Sequence, residues 1–176
     1  MAQRLDTILL AAQILLQADN NFQFHLYGNG TAEKSLKAMK KNLALSNVTF
    51  FGFISPVEAF ERTRAGDAAI LHLANTPSFR FTIPSKLVSM LAAGSPILCG
   101  VIGETSALLE EHRAGLIFEP ENPDSLVRKL AEIQNMQQEQ REAMRANAWN
   151  LYDQLFDKRK ILAIHIAKTK KLMKTP

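Results

Sequence analysis

Five short apolar runs, each followed by a stretch of helical periodicity, constrain this chain more than any other feature. The runs are FQFHLY (22–27), NVTFFGF (47–53), DAAILHL (67–73), PILCG (96–100) and AGLIF (114–118). Each has the length of a strand and is bounded by glycine, proline or polar residues. Strands that alternate with helices pair in parallel, because only a crossover of helix length returns the chain to the same end of the sheet. Such a sheet carries helices on both faces. Consecutive apolar positions, as in Ile97-Leu98-Cys99, suit strands covered on both sides.

The helical segments carry their own signals. Leu5, Ile8, Leu9, Ala12, Leu15 and Leu16 recur at helical spacing and predict a helix over 3–18. Thr31, with Glu33 and Lys34 in the first turn, opens a second helix over 31–44. Ser55-Pro56 predicts a third, with the cap at Ser55 and proline at the first helical position. Residues 73–84 read as a loop, and a fourth helix follows, with Ser85 placed to cap it or to donate a hydroxyl hydrogen bond. Residues 104–112 form a fifth, and ENPDSLVRKLAEI starts a sixth, with Pro123 and Asp124 near its first turn. From Gln137 to Lys174 the chain reads as helix in two or more pieces.

The chain opens on a helix, whereas a doubly wound sheet opens on a strand. In the common strand order 3-2-1-4-5-6 that first strand lies in the middle. Its absence leaves a gap between its neighbours unless they close up or another segment fills it. The expectation is one doubly wound parallel α/β domain of about five strands, the first of the usual six missing, with a helical C-terminal tail.

The bulk properties agree with a single globular domain: 176 residues, 47% hydrophobic and 22% charged. No apolar stretch approaches the roughly 20 residues of a membrane span. Asp6 and the glutamines at 3 and 13 argue against reading the first helix as a signal peptide. The lone Cys99 sits in an apolar run and reads as a reduced core residue of a cytoplasmic protein. Charge is uneven: from Lys158 to Lys174 there are seven lysines and arginines and no acid. Such a tail is either a solvated helix face or an attraction for phosphate-rich partners or an anionic membrane surface. His25 and His72, in strand patterns, read as structural groups, and His112 and His165 as surface.

Ligands of open parallel sheets bind beyond the carboxyl ends of the strands. Gly28-Asn29-Gly30, Gly52-Phe53-Ile54-Ser55 and Thr82–Lys86 all arrive at that edge. The third carries the sharpest signal. A helix mouth presents free amides and the positive end of the helix dipole, so a cation such as Lys86 is disfavoured there. An anion, most simply a phosphate or diphosphate, reverses the sign of that interaction. The plain alternative is a lysine that extends into water. Neither an Asp-x-Asp pair nor a His/Cys cluster offers a metal site.

IPSKLVSMLAAGSPIL, followed by GETSALLEEHRAGLIFEPENPDSLVRKL, resembles the donor-binding domain of group 1 glycosyltransferases of the GT-B fold, in the bacterial polysaccharide-assembly branch. AQRLDTILLAA, FHLYGNG, NVTFFGFIS and AGDAAILHL occur in that family's order and spacing, so the likeness runs to about Trp149. It implies a Rossmann-like nucleotide-sugar-binding domain over 1–150. It also implies a basic helical tail over 151–176 that packs on this domain or crosses to the N-terminal half of the enzyme. Gly28 and Gly30 would let backbone approach the nucleotide, and Phe53 and Ile54 would flank the base. Ile83, Pro84, Ser85 and Lys86 would lie by the diphosphate and donor sugar, with Gly103 and Glu104 on the loop beside them. Lys86 would stabilise the leaving diphosphate, a task that needs no metal when amides and a lysine perform it.

The match is incomplete. Phe81 and Ser89 stand where the family usually has two glutamates that hold the sugar and the ribose. The family's first strand, its glycine-rich loop, a phosphate-binding basic residue and the acceptor-binding half have no counterpart. The resemblance thus implies the donor half of a retaining hexosyl transferase, inactive in isolation. Its donor would be a nucleotide-diphosphate sugar, with UDP as the expected nucleotide, and its acceptor a polysaccharide or lipid-linked glycan. No cofactor and no nucleic-acid partner are expected, and the place expected is cytoplasmic or peripheral at the inner membrane face. The alternative is a non-catalytic or split-enzyme module that binds nucleotide phosphates or docks on a partner or membrane through its tail. A nucleotide-sugar epimerase half is a further reading, but the His/acid constellation it needs is not evident.

Overall fold

The computed structural model describes residues 2–172. Among the described residues there are eight helices and five strands, and they alternate as the apolar runs predict until the closing helices. The first half comprises α1 (Leu5–Gln17), β1 (Phe24–Tyr27), α2 (Glu33–Asn42), β2 (Val48–Gly52) and α3 (Pro56–Ala65). The second comprises β3 (Ala69–His72), α4 (Ser85–Ala92), β4 (Ile97–Gly100), α5 (Glu104–Glu111), β5 (Gly115–Ile117) and α6 (Pro123–Gln134). Two closing helices follow, α7 (Gln138–Leu155) and α8 (Lys158–Leu172). A 3-10 turn over Pro77–Phe81 interrupts the long loop before α4.

Caps account for several boundaries. Ser55 Oγ accepts from the Glu58 amide at 3.1 Å at the start of α3, as its sequence requires. Asn122 Oδ1 does the same for Ser125 at α6, at 3.0 Å. Asp157 accepts from the Arg159 amide at 2.8 Å where α8 begins. Two expected starts differ. Thr31 lies outside α2, whose cap is Ala32 with no side-chain bond. At α4 the cap is Pro84, extended at φ −65° and ψ 139°, and Ser85 is the first helical residue. A proline ring holds φ at that value in either conformation, so Pro84 serves as the cap and the helix starts one residue earlier than a serine cap would place it.

All strand pairs are parallel, but the sheet stands in two parts. β1 pairs with β2, and β3-β4-β5 form the other part in that order. β1 and β3 face each other across an open cleft of about 1560 Å³. The expected gap is therefore present, and neither neighbour has closed it.

Two apolar clusters sandwich the strands. Ile8, Leu9, Ala12 and Leu15 of α1 pack with Leu126, Leu130 and Ile133 of α6, and Phe24, Val48 and Leu98 join them from the sheet. On the other face Leu87 and Leu91 of α4 pack with Leu109, Ala148 and Leu151 against Ile97 and Cys99. Successive residues of β4 thus enter opposite cores, as the pleat demands. Cys99 is fully buried, and burial pushes its thiol up to about 12, so it serves as a core residue.

His72 ties the carboxyl end of β3 to two other segments. Its Nε2 accepts from the Glu121 amide at 3.0 Å, which leaves Nδ1 to donate to the Arg4 carbonyl at 3.1 Å. Arg4 in turn pairs with Asp6 at 2.9 Å and with Glu121 at 2.7 Å. His72 is the satisfied structural group its strand position predicts. His25 is not: it is exposed on β1, with its ring edge-on to Phe51 at 5.0 Å. Alternation sends Phe24 and Leu26 toward the α1 side and leaves His25 on a face that nothing covers.

Candidate functional site

The carboxyl edge of the sheet gathers the predicted site residues into two groups, one on each side of the cleft. On the first side, the Gly28 amide donates to the Gly52 carbonyl at 2.6 Å, which joins the loops after β1 and β2. Gly28 has a φ of 112°, a conformation that a side chain would strain. Gly30 has no such requirement, and open space surrounds its Cα. Phe53, 76% exposed, projects from the β2 loop, and Ile54 beside it is half-buried.

On the second side, the loop before α4 and the loop after β4 lock together. Thr105 Oγ1 donates to the Thr82 carbonyl at 2.7 Å. Gly103 lies directly against the backbone of Arg80: a Cβ there would stand 2.1 Å from the Arg80 carbonyl oxygen, and its φ is 117°. Only glycine allows these two loops to meet so closely. Ser106 Oγ accepts from the Gly103 amide at 3.1 Å and fixes the start of α5. Glu104, in the first turn of α5, is exposed. Arg80, a possible phosphate contact by position, is exposed on the 3-10 turn.

The mouth of α4 lies between this loop pair and the cleft. No side chain caps it, so its first amides remain available to a ligand. Ser85, Lys86 and Ser89 share one face of the helix and line the cleft together with Pro84. Lys86 is exposed at the surface, yet the protein packed around it lowers its pKa, and no carboxylate acts to raise it. A partly desolvated ammonium without an anion, at the positive end of a helix, is an arrangement that an anionic ligand completes. Ile83, 39% exposed, and Phe81, 78% exposed, stand beside it. Phe81 presents an apolar ring to solvent where the resemblance leads one to expect an acid. Among the described residues no cluster of His, Cys, Asp and Glu could hold a metal ion.

The structure adds a feature that residue patterns did not single out. Tyr27 and Phe51 stack at 4.9 Å with their planes 19° apart, next to His25. Tyr27 lines the cleft, opposite the side that carries Lys86. Period-two alternation could have placed His25 and Tyr27 on one face, but their exposure follows only from the open cleft. On α7 and α8, Leu155, Leu162 and Ile166 are 46%, 60% and 46% exposed, while Tyr152 is half-buried. Their spacing in the sequence predicts one apolar stripe that runs on to Met173, which lies outside the described residues, as does Lys174 at the end of the basic run. No described helix is long and apolar enough to cross a membrane.

Comparison with known proteins identifies the relatives of this site. The pattern of the family described as Glycosyl transferases group 1 matches residues 2–150. Among solved structures, a mutant of TarM from S. aureus, in complex with fondaparinux, alpha-GlcNAc-glycerol and UDP, superposes with a TM-score of 0.75. It is 17% identical, and the match covers 95% of this chain and 33% of that one. A glycosyltransferase from Rickettsia africae gives 0.75 at 15% identity, over 97% of this chain and 45% of that one. Anabaena HepE in complex with UDP and glucose gives 0.72 at 19% identity, over 98% and 45%. This chain therefore spans less than half the length of these solved chains. No curated protein matches the sequence.

Proposed function

This chain belongs to the group 1 glycosyl transferases, and from that premise we propose that it is the nucleotide-sugar-binding half of a transferase that acts on a glycan acceptor. The observation that carries the proposal is the uncapped mouth of α4, with unpaired Lys86 beside its free amides at the carboxyl edge of a parallel sheet. In this reading the donor diphosphate lies across that mouth. The amides of Ser85 and Lys86 donate to its oxygens, and the Lys86 ammonium offsets the charge that grows on the diphosphate as the sugar leaves. Gly28 and Gly30 border the nucleotide, Phe53 and Ile54 flank the base, and Gly103 and Glu104 close the opposite side. UDP bound in two of the similar structures supports a UDP-linked donor. Retention of configuration and hexosyl transfer belong to the same proposal. So does the acceptor half, carried by polypeptide beyond these residues.

Ser89 can give the ribose at most a neutral hydrogen bond, so weak donor affinity is expected, in about the millimolar range. Calorimetric titration of UDP-sugars into the chain and into K86A tests the assignment. Removal of the charge-assisted contact should weaken binding by about tenfold to a hundredfold, or about 1.5–3 kcal/mol. Equal affinity of the two proteins would refute the role given to Lys86.

A role in envelope polysaccharide assembly at the inner membrane face is part of the proposal. The exposed apolar residues of α8, among lysines and arginines, support it. Sedimentation with anionic vesicles should show binding at low salt that high salt weakens. No binding at low salt excludes the membrane contact.

A further inference from the structure

We infer that Arg145 of α7 is a positioning residue for the candidate site, because its guanidinium ties the end of α3 to the end of α4. That tie sets how far the Phe53 side of the site stands from the Lys86 side. The bonds are specific. Nη2 donates to the Gly66 carbonyl at 2.7 Å. Nη1 donates to the Arg64 and Gly94 carbonyls, each at 3.3 Å. Arg64 lies in the last turn of α3 and Gly66 just beyond it, while Gly94 follows the end of α4. Among the described residues, all the side-chain hydrogen bonds of Arg145 go to backbone carbonyls.

Helix ends explain why this residue is an arginine. The last four carbonyls of a helix lack partners within it, and the negative end of the dipole favours a cation there. Gly66 is extended, at φ −72° and ψ 155°, so the chain leaves α3 without folding back over those carbonyls. A guanidinium is a planar fork of several donors and reaches two helix ends at once, whereas an ammonium is a single point. α7 delivers the side chain by close contact. Gly94 has a φ of 60°, and a Cβ on it would stand 3.5 Å from the Arg145 carbonyl oxygen. Further along α7, Ala148 and Leu151 pack with Leu87 and Leu91 of α4.

The two helices carry this constraint to the site. Crossover helices run against the strands, so α3 and α4 end at the amino edge of the sheet and begin at its carboxyl edge. α3 starts directly after the loop that holds Phe53 and Ile54, and α4 starts with Ser85 and Lys86. At the helical rise they are about 15 Å and about 12 Å long, and a tilt of about 4° moves the far end of such a rod by about 1 Å. α3 depends on the tie more than α4 does, since it buries no residue while α4 buries Leu87 and Leu91. A second bond has the same form: Asn147 Nδ2 donates to the Arg113 carbonyl at 3.2 Å, just past the end of α5. α7 thus lies across the ends of the three helices whose beginnings form the site.

Only the ligand arm of the test rests on the donor reading. A spin label on V57C reports the distance from the start of α3 to the Ser85 and Lys86 amides through the line broadening it causes, with no ligand present. Val57 is 74% exposed, and Cys99, buried with its thiol pushed up to about 12, stays unlabelled. At a temperature where the variant is folded, R145A should change that broadening by about twofold or more and weaken UDP binding by about threefold to tenfold. R145K keeps the charge without the fork and should show both changes; it decides alone should R145A fail to fold. Full rescue by R145K assigns Arg145 to a contact with the helix dipoles and overturns the tie. A lowered melting temperature with unchanged broadening makes Arg145 a packing residue and also overturns it. Changed broadening with UDP affinity equal to that of the native chain overturns the positioning role. Changed broadening with no UDP binding by the native chain refutes the donor reading and leaves the tie between the helices standing.

Discussion

The two parts of the sheet obey the same sequence rules and end in different states. In the three-stranded part, β4 is buried at all four positions, and α4 and α5 sink leucines into a common core. In the two-stranded part, β1 is buried at one position of four, β2 at one of five, and α3 at none. Composition alone does not separate them, since VTFFG and ILCG carry three apolar residues each. Neighbours do. β4 has a strand on each side and a helix layer on each face, whereas β1 has one strand partner and an open side. Burial in a parallel sheet is a property of the place in the strand order, and apolar content alone does not confer it.

Truncation on the two sides should sharpen this contrast more than any other perturbation. Leu91 is completely buried on α4, and L91A should cost about 2–5 kcal/mol in urea unfolding, as large-to-small changes in tight cores do. F60A on α3 should cost less, about 1–2 kcal/mol, because Phe60 is only half-buried. A cost for F60A equal to that of L91A would mean that α3 is anchored as firmly as α4.

A smaller effect comes from His72 at the boundary between the two parts. Burial holds its pKa below the ordinary 6.5, against the raising influence of its Arg4 hydrogen bond and of Glu121 and Asp6. The unfolded chain therefore binds the proton more readily than the folded one. The stability due to neutral His72 is fully present above about pH 6.5 and is lost as pH falls toward its folded value. Asp6 and Asp157 stay out of this window, because Arg4 and Arg159 hold them below 3.8. The melting temperature should fall between pH 7.5 and 5.5 in the native chain and stay flat over that range in H72Q. A native chain with no slope would show that the imidazole is not held neutral.

Element positions were legible because local chemistry decides them. Ser55-Pro56 and Asn122-Pro123 start helices where they should, and Cys99 is buried because its run is. The gap was legible too, from the opening helix alone, but its consequences were not. No local pattern at His25, Tyr27 or Phe51 tells that their face lies open; that depends on a strand which is not among their sequence neighbours. The start of α4 was misread by one residue, since proline at φ −65° satisfies a cap and a first helical position alike. For the site, the three loop stretches were found from glycines and Lys86. The cleft that separates Gly28 and Phe53 from Lys86 and Gly103 is a three-dimensional fact. Gly30 stands in open space, where neighbouring protein atoms leave room for a side chain.

The central claim is that the mouth of α4 holds the donor diphosphate. The most direct measurement is a UDP titration followed amide by amide in solution. Saturable shifts should centre on Ser85, Lys86 and Glu104, extend across the cleft to Gly28, and collapse in K86A. Shifts confined to the basic patch of Lys37, Lys40 and Lys41 on α2, unchanged in K86A, would contradict it.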